Sequence, residues 1–267
     1  FSSDDEVKHF LEKRSIENSK KHQQPATLNV KSNLDKLTLN NMQVFRFNFR
    51  HETNQKILYL HGGYNTLQPS PFHWRLLDKL TLNTLHEVVL PIYPKSPEYH
   101  YLETFKAIRD VYNQLVEEVG ANNIVMMGDG SGGGLALSFV QSLINDNQEV
   151  PRKLFLLSPL LDATLTNPNI TKTLEENDIL VSRFGVHQLM KSWANDLPLS
   201  DARISPLYGT LKGLPPIYMY GGGREILSPD MHAFTHALEE CGNDVEFKEY
   251  PKICLLYTSD AADDSLR

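Results

Sequence analysis

A glycine-rich segment with one serine is the part of this sequence most clearly equipped for chemistry. Residues 128–134 read Gly-Asp-Gly-Ser-Gly-Gly-Gly and lie between a predicted strand at 124–127 and a predicted helix at 131–145. A hydroxyl raised above a sheet on a tight turn between strand and helix can act as a nucleophile. Ser131 carries the only hydroxyl on this turn and is therefore the candidate nucleophile.

A dinucleotide-binding turn is a second interpretation of the same glycines. Gly128, Gly130 and Gly133 fit the pattern G-x-G-x-x-G, in which backbone amides bind a pyrophosphate. That pattern normally follows the first strand of its unit, with an acidic residue about 20 residues further on. Several predicted strands precede this turn, and Asp162 lies too far along the chain. The sequence therefore disfavours this interpretation.

The position of the apex separates two versions of a nucleophile turn. A turn of the form G-x-S-x-G needs small residues two positions before and two positions after its apex, because the backbone doubles back there. Gly128 and Gly132 meet this need for an apex at Gly130, which has no hydroxyl. An apex at Ser131 would place Asp129 at one of these positions. Both versions stay open, as does a structural one in which the glycines only permit close helix–strand packing.

Short apolar runs alternate with amphipathic helical segments along most of the chain. The predicted strands after residue 55 lie at 56–60, 87–92, 124–127, 153–157, 217–220 and 245–250. The predicted helices between them lie at 74–85, 102–119, 131–145 and 231–241. Continuous apolar strands separated by helices indicate a mostly parallel sheet that is covered on both faces.

Three segments stand apart from this alternation. Residues 1–25 predict a peripheral helix, and phenylalanines at every second position within 42–50 predict a half-buried strand at an antiparallel edge. Residues 163–207 contain two helical stretches and predict a cap-like insertion over the carboxyl ends of the strands, where such sheets bind ligands. We expect residues 1–252 to form one domain.

Composition and charge exclude several classes of protein. The 267 residues include 26 Lys and Arg against 33 Asp and Glu, and this net charge of −7 argues against a nucleic-acid or anionic-membrane surface as partner. Two cysteines, Cys241 and Cys254, cannot form a disulfide framework or a zinc ribbon. No apolar run approaches the roughly 20 residues of a membrane span, and no leader-like segment begins the sequence. These features predict a cytoplasmic protein and leave its oligomeric state open.

Five motifs occur in the order that they have in the hormone-sensitive-lipase-like branch of the α/β-hydrolases. The chain resembles that family over about residues 45–252. The motifs are similar to H-G-G-G, Y-R-L-A-P-E, G-D-S-A-G-G, S-P-W-L-D and G-x-D-x-L-x-D, and they lie here at 61–64, 93–98, 128–133, 158–162 and 223–230. One such match is weak evidence, whereas five in sequence are strong.

The resemblance implies an α/β-hydrolase fold with a mostly parallel central sheet, helices on both faces and a small helical cap. It implies hydrolysis of small carboxylic esters with short acyl chains through a serine acyl-enzyme, with no cofactor or metal. Oxyanion donors are implied at the amides of Gly62 and Gly63, with a third from residue 131, and the triad acid at Glu225. His61 then braces the oxyanion loop and is not the base.

The sequence departs from the family's pattern at the nucleophile and at the base. The family's serine maps to Gly130 and its alanine to Ser131, so the existence of a nucleophile stays open. The triad order Ser…Asp/Glu…His places the base after Glu225 and the last strand, yet no histidine follows His236. His232 and His236 share a helix face, but no third ligand for a metal is evident.

The last fifteen residues, 253–267, show no amphipathic period and resemble a translated cloning or adapter scar. We expect them to be foreign and to replace the loop that would carry the histidine. On this expectation the chain has little or no esterase activity as it stands. The alternative, motivated by Gly130, is a catalytically degenerate α/β-hydrolase-fold protein that binds a small apolar ligand under the cap.

Overall fold

A computed structural model describes residues 3–48, 54–178 and 181–251 of the chain. The last positions of the predicted 42–50 strand and the predicted foreign tail at 253–267 lie outside these residues. The strands are β1 (Leu34–Leu39), β2 (Met42–Phe47), β3 (Lys56–Leu60), β4 (Glu87–Pro91), β5 (Ile124–Asp129), β6 (Lys153–Leu157), β7 (Ile217–Gly222) and β8 (Val245–Tyr250). The α-helices are α1 (Asp4–Asn18), α2 (Pro71–Thr84), α3 (Tyr101–Val119), α4 (Gly130–Asn145), α5 (Lys172–Asn177), α6 (Arg183–Ala194) and α7 (Ser228–Glu240).

All eight of these strands belong to one sheet, whose order is β1-β2-β4-β3-β5-β6-β7-β8. The β1–β2 and β2–β4 pairs are antiparallel, and every other neighbouring pair is parallel. The predicted mostly parallel sheet with an antiparallel edge is therefore confirmed. Because β3, β5, β6 and β7 are parallel neighbours, the loops that follow them emerge at the same edge of the sheet.

Apolar side chains cover both faces of the sheet. Alternate residues of one strand point to opposite faces, and along β3 Leu58 and Leu60 join one buried cluster while Tyr59 joins the other. Helix α4 is buried on nearly all sides and packs with the first cluster, whereas Trp74 of α2 packs in the second. None of the helices in the described parts of the chain is both long and apolar enough to span a membrane.

The strand predicted within 42–50 is present, but the prediction that it is half-buried is wrong, because five of the six residues of β2 are buried. Arg46 of β2 is only 2% exposed, because its guanidinium bonds to Glu87 and, at 3.0 and 2.6 Å, to Glu118. Lys56 donates to the same two carboxylates, at 3.0 Å to Glu87 and 2.5 Å to Glu118. The sequence reading also missed β1, whose side chains are mostly exposed and which is held by backbone pairing with β2.

Two helical segments contact the edge of the sheet where the loops emerge. Within the predicted cap, 163–207, the hydroxyl of Ser192 on α6 lies 2.6 Å from the hydroxyl of Ser96. Asn18, at the end of α1, donates to the carbonyl oxygens of Thr66 at 2.9 Å and Ser96 at 3.1 Å. The amino-terminal helix therefore supports the loops that follow the central strands.

The buried charge cluster generates a stability prediction. Glu87 is fully buried between Arg46 and Lys56, so Glu87→Ala leaves two buried cations to share Glu118. We expect the free energy of unfolding to fall by about 3–5 kcal/mol in urea denaturation. Glu117→Ala, on the exposed side of α3, is the matched control and should change the free energy by less than about 0.5 kcal/mol. Equal effects of the two substitutions would contradict the structural role of the cluster.

Candidate active site

Three loops meet at the carboxyl edge of the central strands. Residues 61–65 follow β3, the turn at 129–131 joins β5 to α4, and residues 223–227 follow β7. In the sheet, β3 and β5 are direct neighbours, and β7 lies two strands from β5. The topology therefore brings the predicted oxyanion loop, the glycine-rich turn and the predicted acid to one edge.

The apex of the glycine-rich turn is Gly130. Strand β5 ends at Asp129 and α4 begins at Gly130, whose φ of +51° is left-handed. A Cβ on Gly128 would lie 2.5 Å from the carbonyl oxygen of Gly132, and a Cβ on Gly132 would lie 2.5 Å from that of His61. Glycine is thus required two positions before and after residue 130, and the turn is not shifted by one residue toward Ser131.

Ser131 lies one residue beyond the apex, in the first turn of α4. It is 6% exposed, and its hydroxyl oxygen accepts a hydrogen bond of 3.2 Å from the backbone amide of Asn65. The structure therefore brings the predicted nucleophile against the loop after β3. Its hydroxyl contacts that loop and does not occupy the apex.

Asp129 joins the turn to the loop and to helix α2. Its carboxylate accepts hydrogen bonds from the Tyr59 hydroxyl at 2.7 Å, the Gly62 amide at 2.9 Å and Nε2 of His73 at 3.2 Å. Burial alone would raise the pKa of Asp129, but the charge and hydrogen bond of His73 and the other two donors lower it overall. The carboxylate is therefore ionised in the folded protein.

The bond to Asp129 corrects the prediction for Gly62. The Gly62 amide is already occupied by a carboxylate oxygen at 2.9 Å, so it is not available as an oxyanion donor. The Gly63 amide, the other predicted donor, has no acceptor within the described residues. Gly63, Tyr64 and Asn65 have φ values of +117°, +57° and +51°, so the loop turns sharply directly after Gly62.

His61 is buried beneath this loop and is neutral. Its Nδ1 donates to the carbonyl oxygen of Gly62 at 2.7 Å, which leaves Nε2 unprotonated and without a partner in the described part of the chain. Burial, with the nearby charges of Lys95 and His73, holds the pKa of His61 well below its usual range. Its ring stacks on Tyr93, whose hydroxyl donates to the His61 carbonyl at 2.6 Å. These contacts are those of a residue that braces the loop.

Glu225 occupies the tight loop after β7. It is 2% exposed, and its Oε2 accepts a hydrogen bond of 3.1 Å from the Gly222 amide. Asp178, between helices α5 and α6 of the predicted cap, accepts from the amide of Ile226 in this loop at 2.9 Å. The predicted acid is therefore buried and fixed to the backbone, and its loop is tied to the cap.

A second buried acid, Asp230, lies in the first turn of α7 and is 1% exposed. Its Oδ1 accepts from Asn167 of the cap at 2.9 Å, and its Oδ2 has no partner among the residues described. Burial, with a contribution from the charge of Asp162, raises the pKa of Asp230 to about 6. Asp230 therefore takes up a proton at a higher pH than an ordinary aspartate, and no basic side chain bonds to it among the described residues.

The histidine pair on α7 is engaged with carboxylates. His232 lies 2.9 Å from Glu249 of β8, and His236 lies 3.4 Å from Glu240 of its own helix. Within residues 3–48, 54–178 and 181–251, no group of three or more His, Cys, Asp or Glu side chains is placed to hold a metal ion. Cys241 is a free, exposed thiol.

Sequence reasoning missed the residues that connect the loops. The sequence indicates Asp129 only as a poorly suited neighbour of an apex at Ser131, and it does not indicate His73, Asn65 or Asp178. His73 and Asn65 contact the turn across 56 and 66 residues of chain, and no local pattern marks such contacts. The one available signal was the acid that directly precedes the apex.

The site combines three features that are typical of an α/β hydrolase. A glycine forms the apex between a central strand and a buried helix, a loop from the neighbouring strand adjoins this apex, and a buried acid follows β7. The chain belongs to the α/β-hydrolase-fold family. The family described as alpha/beta hydrolase fold matches residues 57–257.

Solved and curated relatives agree with this family. A crystal structure of a Staphylococcus aureus protein assigned as an esterase is 58% identical, with a TM-score of 0.94, and the match covers 100% of this chain and 92% of that one. An Acinetobacter venetianus esterase is 34% identical over 73% of this chain, and a Mycobacterium tuberculosis triacylglycerol lipase is 31% identical over 74%. The chain spans 65% and 41% of the lengths of these two curated relatives.

The unpartnered oxygen of Asp230 generates a pH-dependent prediction. Because the folded pKa of about 6 lies above the unfolded value of about 3.9, the native state holds the extra proton, and stability falls as the pH rises from about 4 to 6. Asp230→Asn should remove that loss, so the wild type should lose about 2 kcal/mol more of its free energy of unfolding between pH 4.5 and pH 7.5 than the variant does.

Urea unfolding of the wild type and the variant at both pH values measures this difference. Asp244→Asn, at an exposed position, is the control and should leave the pH dependence unchanged. An Asp230→Asn variant with the same pH dependence as the wild type would contradict the assignment.

Proposed function

We propose that the protein hydrolyses small carboxylic esters with short acyl groups, with the Ser131 hydroxyl as the nucleophile of a covalent acyl-enzyme. The observation that carries the proposal is the 3.2 Å contact between this hydroxyl and the Asn65 amide. It places the only hydroxyl of the turn against the loop that follows β3. The esterase and lipase relatives support the same class of substrate.

In the proposed reaction, the Ser131 oxygen leaves the Asn65 amide by rotation about χ1 and attacks the carbonyl carbon of the ester. A base takes the hydroxyl proton and returns it to the departing alcohol, and water then hydrolyses the acyl-enzyme by the same route. The amides of Gly63 and Ser131 stabilise the oxyanion, and Glu225 orients the base. No cofactor or metal is needed for these steps.

The base is the part of this scheme that the sequence does not supply. The triad order requires a histidine after Glu225, and the sequence has two there, His232 and His236. His232 contacts Glu249 on β8, and His236 contacts Glu240 on α7. In the family the histidine follows the last strand, which here ends at Tyr250. We therefore propose that the chain has little turnover as it stands and gains turnover from a histidine placed directly after this strand.

The nucleophile prediction is made in chains that carry such a histidine. Four single variants, Ile253→His, Cys254→His, Leu255→His and Leu256→His, are assayed for hydrolysis of p-nitrophenyl acetate. We expect at least one to exceed the unsubstituted chain by about tenfold or more. Adding Ser131→Ala to the most active variant should then lower the rate by about tenfold or more, because the base has no nucleophile to activate once the hydroxyl is removed.

Ser142→Ala is the matched control, since it removes a hydroxyl from the same helix at a position whose oxygen donates to the Phe139 carbonyl. It should leave the rate unchanged. Unaltered turnover in the Ser131→Ala chain, or no gain from any of the four histidines, would contradict the proposed reaction.

Gly130 favours a second candidate function, in which a catalytically degenerate site binds a small apolar ligand under the predicted cap, 163–207, without forming a covalent bond. The family's serine position is the apex. A glycine at this position has no hydroxyl, and it adopts the left-handed backbone conformation without the strain that a residue with a side chain would have. On this account Ser131 only supports the loop through Asn65.

The second candidate predicts that a hydroxyl restored at the apex creates activity. Gly130→Ser together with Ser131→Ala, in the same histidine-bearing chain, should hydrolyse p-nitrophenyl acetate about tenfold or more above the Ser131→Ala parent. The left-handed serine should cost about 1–2 kcal/mol of stability. An inert double variant beside an active Ser131-bearing chain would exclude the second candidate.

A further inference from the structure

A cleft of about 810 Å³ lies apart from the glycine-rich turn, between the end of α1, the β1–β2 turn and the start of α3. Its walls combine apolar side chains, among them Met42, Ile92 and Ala107, with the amine of Lys95. The proposed reaction does not use the Lys95 amine. The cleft is therefore a candidate second binding site.

Lys95 is an unusual residue for such a wall, because it is only 3% exposed. Its Nζ donates to the carbonyl oxygen of Tyr93 at 2.8 Å and to Oε1 of Gln68 at 3.2 Å, and it lies 4.5 Å from the centre of the Tyr93 ring. An ammonium has three donor hydrogens, and within the described segments the Lys95 amine has these two acceptors and no carboxylate partner. In the motif that resembles Y-R-L-A-P-E, this lysine stands where the family has leucine.

A positive charge on the buried Lys95 amine is unfavourable unless an anion neutralises it. Burial lowers the pKa of Lys95 to about 7, and the other ionisable groups influenced by its charge are His22 and His61, both themselves bases. Burial lowers the pKa of His22 to about 4 and that of His61 well below its usual range, so both are neutral near pH 7. Lys95 is the one buried lysine among the described residues that line the cleft, since Lys20, Lys21 and Lys106 are exposed.

The acidic residues along the cleft are engaged elsewhere. Glu103 accepts from the His100 amide at 3.0 Å, Asp110 accepts from Asn40 at 2.9 Å, and Glu98 accepts from the Ser15 hydroxyl. None of them neutralises Lys95. The cleft thus offers one buried cation to a ligand, with an apolar wall beside it.

We propose that this cleft binds a small monocarboxylate, with its carboxylate on the Lys95 ammonium and its alkyl chain along Met42, Ile92 and Ala107. The site does not depend on the proposed esterase reaction. Tyr93 links the two, because its carbonyl accepts from Lys95 and its hydroxyl donates to the His61 carbonyl below the oxyanion loop. A ligand at Lys95 therefore contacts the residues that support that loop.

The test measures butyrate binding to the whole chain by thermal unfolding and by titration calorimetry, with sodium chloride at equal ionic strength as the reference. We expect saturable binding at pH 6 that raises the unfolding temperature, and an affinity about tenfold lower at pH 8, because the free amine must gain a proton to bind. Butyrate itself, His22 and His61 keep their charge state across this range.

Lys95→Met removes the charge at nearly constant length and should abolish saturable binding, while its own unfolding temperature stays equal or rises. Lys106→Met, at an exposed position on the same cleft, is the control and should bind as the wild type does. Binding that survives Lys95→Met, or that is lost in Lys106→Met alone, would overturn the proposal.

A measurement on the wild type keeps the proposal testable if the Lys95→Met chain does not fold. Titration of butyrate into protein carrying ¹³C-labelled lysine should shift the ε-carbon resonance that moves with a pKa near 7. No shift of that resonance at saturating butyrate would overturn the site as firmly as the variant would.

Discussion

The narrow gap between the glycine-rich turn and the end of β3 is the constraint on which the rest of the site depends. Gly128 and Gly132 approach neighbouring backbone so closely that neither position has room for a Cβ, and the apex is therefore fixed midway between them. Because the turn and the loop after β3 lie so close together, the short side chain of Asp129 reaches the Gly62 amide and bonds the loop to the turn. Turn and loop are thus positioned as one unit.

Within this unit, the Ser131 hydroxyl lies one residue beyond the apex. A left-handed apex strains any residue with a side chain, and Gly130 adopts φ +51° without that cost. Ser131 instead enters the first turn of α4 and accepts from Asn65. After β7, the buried Glu225 accepts from the Gly222 amide and Asp178 accepts from the Ile226 amide, so this loop is also fixed through its backbone.

The elements could be predicted from the sequence to a large extent, because buried parallel strands are short apolar runs and the helices between them are amphipathic. Strand β1 could not, since its side chains are exposed and its pairing partner stabilises it through backbone bonds. A half-buried strand would leave Arg46 facing solvent. The burial of Arg46 instead depends on ion pairs with Glu87 and Glu118, which lie 41 and 72 residues away in the sequence. Likewise, the loss of Gly62 as an oxyanion donor follows from a contact with Asp129 that spacing does not encode.

Whether Ser131 forms a covalent intermediate is tested most directly by peptide mapping after reaction with a fluorophosphonate, in the most active histidine-bearing chain. The proposed reaction predicts one phosphonyl group per chain, on the peptide that contains Ser131, with loss of ester hydrolysis in proportion to labelling. A folded, active chain that stays unlabelled, or that carries the group on a different residue, would contradict Ser131 as the nucleophile.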